Sequence, residues 1–402
     1  RNVTLCLVDE NAAALDLMAK AARRIKDHTR SDVRIETATD RRQALPGANY
    51  VIVAVARKRY ELWEQDFRVP LAHGFSHVLG ENGGPGAIFH ALRSFELVIP
   101  ICRDVEALCP GALVLNFTNP EARVLHAICH LTRVKAIGIC HGVFGAIDQI
   151  ARYTGRAADN LDIVSAGMNH FYCILRARDR ATGQDLLPKA LEMAAHDPSP
   201  HTSPIFRKFA EIFDVFTFPS EDHIGEYLTF GSEFHGTAWP YGQEKRQVHV
   251  RDRVEPDALA DYAAGKRPPG EPAILRASGE HAVPIICDIE LDRGIVRPAV
   301  NVLNTNGYIA NLPRDAAVEI PAMMDAGGVH PLSVGPIPES FAAFMRPQFT
   351  IHSLLTEAYR TRSRKLLLQA LLVDPNVNSI VRAEKMLDEM LKLQSEFLPT
   401  FA

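Results

Sequence analysis

Residues 112–142 read ALVLNFTNPEARVLHAICHLTRVKAIGICHG. Two short apolar runs, Ala112 to Phe117 and Val134 to Cys140, predict strands. Between them Pro120 to Leu131 carries apolar residues at helical spacing. A second helix is expected from Val143 to Tyr153. Upstream, Ala48 to Ala56 (ANYVIVAVA) is nearly continuous in apolar residues, as in strands covered on both faces. Val3 to Val8 and Val33 to Thr37 read as strands around a helix from Ala12 to Lys26. A long helix, Ala87 to Leu108, stops at Pro110 and Gly111. This alternation over roughly the first 155 residues predicts an α/β, Rossmann-like doubly wound parallel sheet with helices on both faces.

Beyond Leu161 the pattern changes. Leu161 to Met168 and Phe171 to Arg178 read as strands joined tightly at Asn169. Leu186 to Tyr227 reads as helices and loops, and Arg253 to Pro272 as a polar surface excursion. Pro284 to Asn304 reads as strand, and Gln348 to Leu372 and Asn378 to Leu393 as amphipathic helices. The expected division is a dinucleotide-binding domain over 1–160 and an α+β substrate, metal and oligomerisation domain over 161–402.

The 402 residues (44.4 kDa) carry a net charge of −4, so no basic field points to nucleic acid or an anionic membrane. No apolar run approaches the roughly 20 residues of a membrane span. Seven irregularly spaced cysteines do not form a disulfide framework and fit a reducing cytoplasm. The chain starts at Arg1 without methionine, and no signal peptide is visible. No G-x-G-x-x-G stands between a strand and a helix, so the expectation is that the first strand and its glycine loop lie outside this sequence. Asp9, ending the first apolar run, then stands where an acidic residue takes the ribose hydroxyls of NAD. Its plainer reading is a turn residue opening the next helix.

Four signatures are expected to face one way, because ligands of doubly wound sheets bind beyond the carboxyl ends of the strands. Gly80-Glu81-Asn82-Gly83-Gly84-Pro85-Gly86 reads as a flexible loop before a helix whose first amides could meet an anion or sugar hydroxyls. Asn116-Phe117-Thr118-Asn119-Pro120 can present an amide to a ligand, or merely form a turn. Gly138-Ile139-Cys140-His141-Gly142 and Gly167-Met168-Asn169-His170-Phe171 bring a thiol and an imidazole to successive strand ends. Thiolate and imidazole make a divalent-metal pair, and two protein ligands leave positions open for water or substrate. His126 and His130, at i,i+4 spacing, lack an evident third ligand and read as surface or core residues. The charge run Arg360 to Lys365 reads as a solvated helix face.

In this order the motifs resemble glycoside hydrolase family 4. The resemblance runs through Gly86, His90-Ala91-Leu92-Arg93, Ile99-Pro100, Leu108-Cys109-Pro110, Asn116 to Pro120, Cys140-His141-Gly142 and Asn169-His170. It continues through Asn301, Asn306-Gly307-Tyr308-Ile309, Asn311-Leu312-Pro313, Val318 to Pro321 and Gly328-Val329-His330-Pro331. It implies a lactate/malate dehydrogenase-like fold. It also implies hydrolysis of a glycosidic bond by transient NAD-dependent oxidation at C3, deprotonation at C2 and elimination, a route outside the two-carboxylate scheme of ordinary glycosidases. The cofactors implied are NAD and Mn2+, with Cys140 and His170 as metal ligands. Mn2+ comes from the resemblance, since such a donor pair by itself favours zinc or iron. Asp9 would hold the adenosine ribose, and Asn119 and Asn169 the sugar hydroxyls, beside Glu81 and Asn82. His141 stands where phosphosugar α-glucosidases of the family carry an aspartate proposed as general acid, which points to an unphosphorylated glucoside, galactoside or uronide. Pro219 to Tyr227 resembles the base-bearing segment, with Asp222 or Tyr227 as the base. Family members are usually dimers or tetramers, so a homo-oligomer is expected. The competing expectations are a 2-hydroxyacid dehydrogenase and a non-catalytic NAD-binding protein; the Cys140/His170 pair disfavours the first.

Overall fold

The computed structural model describes residues 3–236, 239 and 256–402. By contacts the chain forms two units. The smaller comprises residues 1–49, 103–112 and 240–280. In it β1 (Thr4–Val8) pairs in parallel with β2 (Arg34–Ala38). The connecting helix, Ala12–Thr29, starts at Asn11, whose side chain accepts from the amides of Ala13 and Ala14, and ends at Arg30 in the left-handed conformation. Of the stretch expected as a surface excursion, 253–255 lie outside the described residues. Pro256–Ala263 is a helix whose Tyr262 is fully buried under the Arg24 guanidinium.

The larger unit comprises residues 50–102, 113–239 and 281–402. Its sheet has eight strands in the order β3-β4-β5-β8-β9-β6-β7, with β10 on β9. Here β3 is Tyr50–Val53, β4 Leu113–Asn116, β5 Lys135–Gly138, β6 Leu161–Met168 and β7 Phe171–Asp179. β8 is Ile295–Leu303, β9 Ala317–Asp325 and β10 Gly328–Pro331. The first three run parallel, as the helices between them require, and β8 then joins β5 antiparallel. The parallel Rossmann-like part thus continues into a mixed sheet, whose antiparallel half belongs to the C-terminal α+β region. Among the described residues no helix is long and apolar enough to cross a membrane.

Three expectations need correction. Pro284 to Asn304 is not all strand, because Ala282–Glu290 is a helix that buries Ala282, Ile285 and Asp288. Its β-branched residues suggested a strand, but the buried positions recur every three residues. The expected helix Gln348 to Leu372 is two helices, Glu339–Thr361 and Arg364–Val373, broken where Arg362 turns left-handed at φ 56°. The charge run 360–365 therefore marks this break rather than one solvated face.

Two buried histidines make this unit acid-sensitive. Burial pushes His77 down to about 4 and, with His130 beside it, His126 to about 3, from an ordinary 6.5. The unfolded chain takes up protons below pH 6.5 that these folded imidazoles refuse. Their contribution is complete above 6.5 and declines as the pH falls toward 4 and 3. At pH 5 each costs about 2 kcal/mol. The melting temperature should fall between pH 7 and pH 5, and His77→Gln should flatten that slope; an unchanged slope would count against the burial argument.

Candidate active site

The sheet register explains why the site forms where it does. One rung crosses six strands: Val53 lies opposite Asn116, Asn116 opposite Gly138, Gly138 opposite Asn301, Asn301 opposite Glu319, and Glu319 opposite Gly167. Asn116, Asn301 and Glu319 are at most 1% exposed, so this interior rung is polar. Just beyond it the chain leaves β4 at Thr118-Asn119, β5 at Cys140 and β6 at Asn169-His170. The expectation that these motifs all face one way holds for the parallel β4 and β5 only; β6, three antiparallel pairings away, runs in the opposite direction, and Asn169 meets Cys140 through its side-chain amide.

The rung acts as a floor for these residues. Asn169 and Asn301 both donate a side-chain amide to Glu319 Oε2, at 3.1 and 3.3 Å. The Asn169 amide also hydrogen-bonds the Cys140 thiol, which accepts from the Gly142 N–H at 3.4 Å. Burial, then Glu319, pushes that thiol up to about 12. Burial alone pushes Glu319 up to about 7, and burial with Glu319 beside it holds Glu121 well above the carboxylate range. Glu121 fits only because residue 138 has no side chain. A Cβ there would lie 1.5 Å from Glu121 Oε1 and 2.9 Å from Asn301 Cβ. Gly138→Ala should therefore cost about 1–3 kcal/mol and lower activity without touching the substrate; a melting curve matching the parent would refute this.

His170 occupies the two-residue turn between β6 and β7 at φ 62°, a left-handed conformation that few non-glycine residues adopt. Its imidazole is 7% exposed, and among the described residues its Nδ1 has no hydrogen-bond partner. Burial, the first cause, keeps this imidazole well below its ordinary pKa. An unprotonated, unpartnered ring nitrogen, on the turn whose Asn169 amide bonds the Cys140 thiol, suits a cation. Among the described residues no group of three or more His, Cys, Asp or Glu could hold a metal, so protein donors here go no further than a pair.

The loop Gly80 to Gly86 corrects the expectation of a flexible segment. Its residues are buried, and the amides of Glu81 and Asn82 are already occupied. They donate to Glu226 Oε1 at 2.6 and 3.0 Å, so these two loop amides are held by an internal carboxyl group. The Glu81 side chain does reach the site. Its Oε1 accepts from Asn119 Nδ2 at 3.2 Å and from Arg59 at 2.8 Å. Asn82 is 4% exposed, and among the described residues neither polar atom of its side chain has a partner.

The helix Glu221–Gly225 brings up the expected base segment. Asp222 Oδ1 accepts from His223 Nδ1 at 2.7 Å and from the Ser220 hydroxyl. Although burial opposes it, hydrogen bonding and charge from His223 hold Asp222 well below the usual carboxylate range. Asp222 in turn raises His223 against the opposing effect of burial. The His223 ring lies 4.3 Å from that of His170 and stacks on Phe218 at 4.7 Å. Tyr227 is buried, stacks on Phe171 and donates its hydroxyl to the Asn169 carbonyl at 3.3 Å. Burial keeps it well above the usual phenol range.

His141 is exposed at the N-cap of the helix Gly142–Thr154, near enough to His170 to depress its pKa. Asp9 belongs to the smaller unit, at the end of β1, where its Oδ1 accepts from the Asn11 amide at 2.8 Å. His126 bonds Thr356 Oγ1 at 2.8 Å and stacks on His130, a packing role. Sequence reasoning missed His223, Glu226, Glu121, Asn301 and Glu319. His223 and Glu226 lie inside the Pro219 to Tyr227 segment and could have been found there; Asn301 and Glu319 depend on a register that only the fold supplies.

A Rossmann-like parallel sheet that continues into a mixed α+β region, with a thiol, an imidazole and amides around one polar rung, defines the chain as an α/β protein of the dinucleotide-binding class. Residues 1–155 match the Family 4 glycosyl hydrolase, and residues 165–377 the Family 4 glycosyl hydrolase C-terminal domain. An alpha-glucosidase of Erwinia rhapontici is 30% identical, over 98% of this chain and 92% of its own. An alpha-galactosidase of Rhizobium meliloti (strain 1021) is 30% identical, over 100% and 84%. The 6-phospho-beta glucosidase from Thermotoga maritima, solved with manganese, NAD+ and glucose-6-phosphate, superposes with a TM-score of 0.85 at 25% identity, covering 100% of this chain and 93% of that one. The chain belongs to the family 4 glycosyl hydrolases and is a glycoside hydrolase.

Proposed function

We propose that this enzyme hydrolyses an unphosphorylated α-glycoside, a glucoside, galactoside or uronide, using NAD and a divalent cation, Mn2+. The observation that carries the cation is the unpartnered Nδ1 of His170, on the turn whose Asn169 amide bonds the Cys140 thiol. Cys140 and His170 would hold the metal, and Asp9 the adenosine ribose. When bound, NAD+ supplies a reversible hydride acceptor for the sugar's C3, and the cation a Lewis acid that acidifies the C2 proton. The rest is the work of this chain. Asn119 and Asn169, with Glu81 and Asn82, orient the sugar hydroxyls. Asp222, hydrogen-bonded to His223 Nδ1, orients that imidazole, whose other nitrogen can take the C2 proton. This favours the Asp222–His223 pair over Tyr227, whose hydroxyl is engaged and too weakly acidic to ionise readily. His141, beside His170, would protonate the leaving group. In this reading residues 1–160 serve the dinucleotide and 161–402 the substrate, metal and subunit contacts of a homo-oligomer, with Cys140 supplied by the first part. A cytoplasmic location is supported by seven free cysteines.

The electrostatics favour an unphosphorylated sugar. Arg59 is committed to Glu81, whose Oε1 also accepts from the Asn119 amide, so the charged group beside that amide is a carboxylate. A phosphate here would meet like charges. The test is a screen of nitrophenyl α- and β-glycosides, uronides and 6-phosphosugars among them, with Mn2+, NAD+ and reductant. Turnover of an unphosphorylated α-glycoside, slowed by deuterium at C2, is expected. A preference of more than about tenfold for a 6-phosphosugar would overturn the substrate assignment. Net NADH formation from 2-hydroxy acids would overturn the reaction class.

A further inference from the structure

We infer that Glu226 is a positioning residue, a latch that locks the loop Gly80 to Gly86 against the segment bearing Asp222 and His223. The inference rests on the glycosidase reading. Glu226 is 1% exposed, and its carboxylate accepts three contacts from two consecutive backbone amides: Glu81 to Oε1 at 2.6 Å, and Asn82 to Oε1 and Oε2 at 3.0 and 3.2 Å. Burial, then the charge of Glu81, pushes this carboxyl up to about 8, and what holds it is geometry: two buried amides converge on its oxygens. The loop closes tightly over this residue. A Cβ on Gly83 would lie 2.6 Å from the Glu226 carbonyl oxygen, so only glycine permits the approach.

The far side of the latch is the binding surface. Glu81, whose amide is held, offers its side chain to Asn119, and its carbonyl to His90 Nδ1 at 2.9 Å. Asn82, whose amide is also held, keeps its side-chain amide unpartnered. Glu226 follows directly on the helix that carries Asp222 and His223. One carboxylate thus fixes the spacing between the groups proposed to bind the sugar and those proposed to take its proton. Without it the loop must find other acceptors for two buried amides, and its side chains lose their register with the sugar.

The test compares Glu226→Ala, which removes the acceptor, with Glu226→Gln, which keeps one acceptor oxygen. Hydrogen exchange of the Glu81 and Asn82 amides is read on the folded protein without substrate. The alanine variant should exchange about 10- to 100-fold faster, and the glutamine variant within about threefold of the parent. With the best glycoside of the screen, alanine should raise KM about tenfold while kcat falls less than about threefold, and glutamine should largely restore KM. A merely structural defect lowers the active fraction, and so kcat, leaving KM unmoved. Should alanine fail to fold, the glutamine and Glu226→Asp variants carry the same comparison, aspartate being too short to reach both amides. Unchanged exchange in the variants overturns the latch, and faster exchange with unchanged KM overturns its positioning role. A parent that turns over no glycoside at all overturns the glycosidase reading instead, which the exchange data by themselves do not touch.

Discussion

Cys140→Ala and His170→Ala are each expected to lower kcat/KM by a factor of about 1,000 or more. In the proposed reading both donors are needed, because among the described residues no group of three or more carboxylates, thiols or imidazoles could hold a metal. Losing either leaves one donor, too few to hold a cation against water. Cys140→Ser should be nearly as poor, since a serine hydroxyl does not ionise to replace a thiolate. Folding is not the cause. The Cys140 sulfur accepts from the Gly142 N–H at 3.4 Å and from the Asn169 amide, and losing two such weak bonds to sulfur should move the melting temperature little. The measurement pairs turnover with Mn2+-dependent thermal stabilisation. Parent protein should be stabilised by Mn2+, and the variants should not. Peroxide should mimic the alanine variant until a reductant restores the thiol. Either variant keeping more than about a tenth of parental kcat/KM would remove the basis of the metal assignment.

The same residues show how much could be read in advance. Asn119 and Cys140 were legible because each ends an apolar run beside glycine or proline and the parallel strands β4 and β5 end on one side, Asn169 and His170 because they form the tight turn between two apolar runs. What the sequence could not display is what lies beneath them. Glu319 reaches Asn169 only because β9 lies between β8 and β6, and Asn301 joins them because it pairs with Gly138, 163 residues away. Such antiparallel pairings follow from tertiary registry, not from local pattern. The glycines of 80–86 misled for a related reason. They suggested looseness, yet a Cβ on Gly86 would lie 2.1 Å from the Asp66 carbonyl oxygen, so they mark close packing rather than freedom. The helix Arg59–Ala72, which supplies Arg59 to Glu81, gave no sequence signal; its apolar spacing is weak and Pro70 lies inside it.

Asp222→Asn is expected to reduce kcat by about 100- to 10,000-fold with little change in KM, the range typical of disabling a general base. Asp222 does not touch the sugar in this scheme. It receives the His223 Nδ1–H at 2.7 Å, which leaves the lone pair on the other ring nitrogen. Asparagine can offer its amide N–H to Nδ1 instead, and that stabilises the opposite tautomer, with the proton where the lone pair is needed. His223→Gln should be as severe, and the two substitutions together no worse than either, because they break one unit. Removal of the C2 proton should then limit turnover more fully, so the C2 deuterium effect should grow in both variants. Tyr227→Phe separates the two candidate bases. It removes a hydroxyl that donates to the Asn169 carbonyl at 3.3 Å, a long bond whose loss should cost less than about tenfold in kcat. If instead Tyr227→Phe shows the largest loss of the three and the largest isotope effect while Asp222→Asn stays active, the phenol is the base and the Asp222–His223 pair only supports the His170 ring.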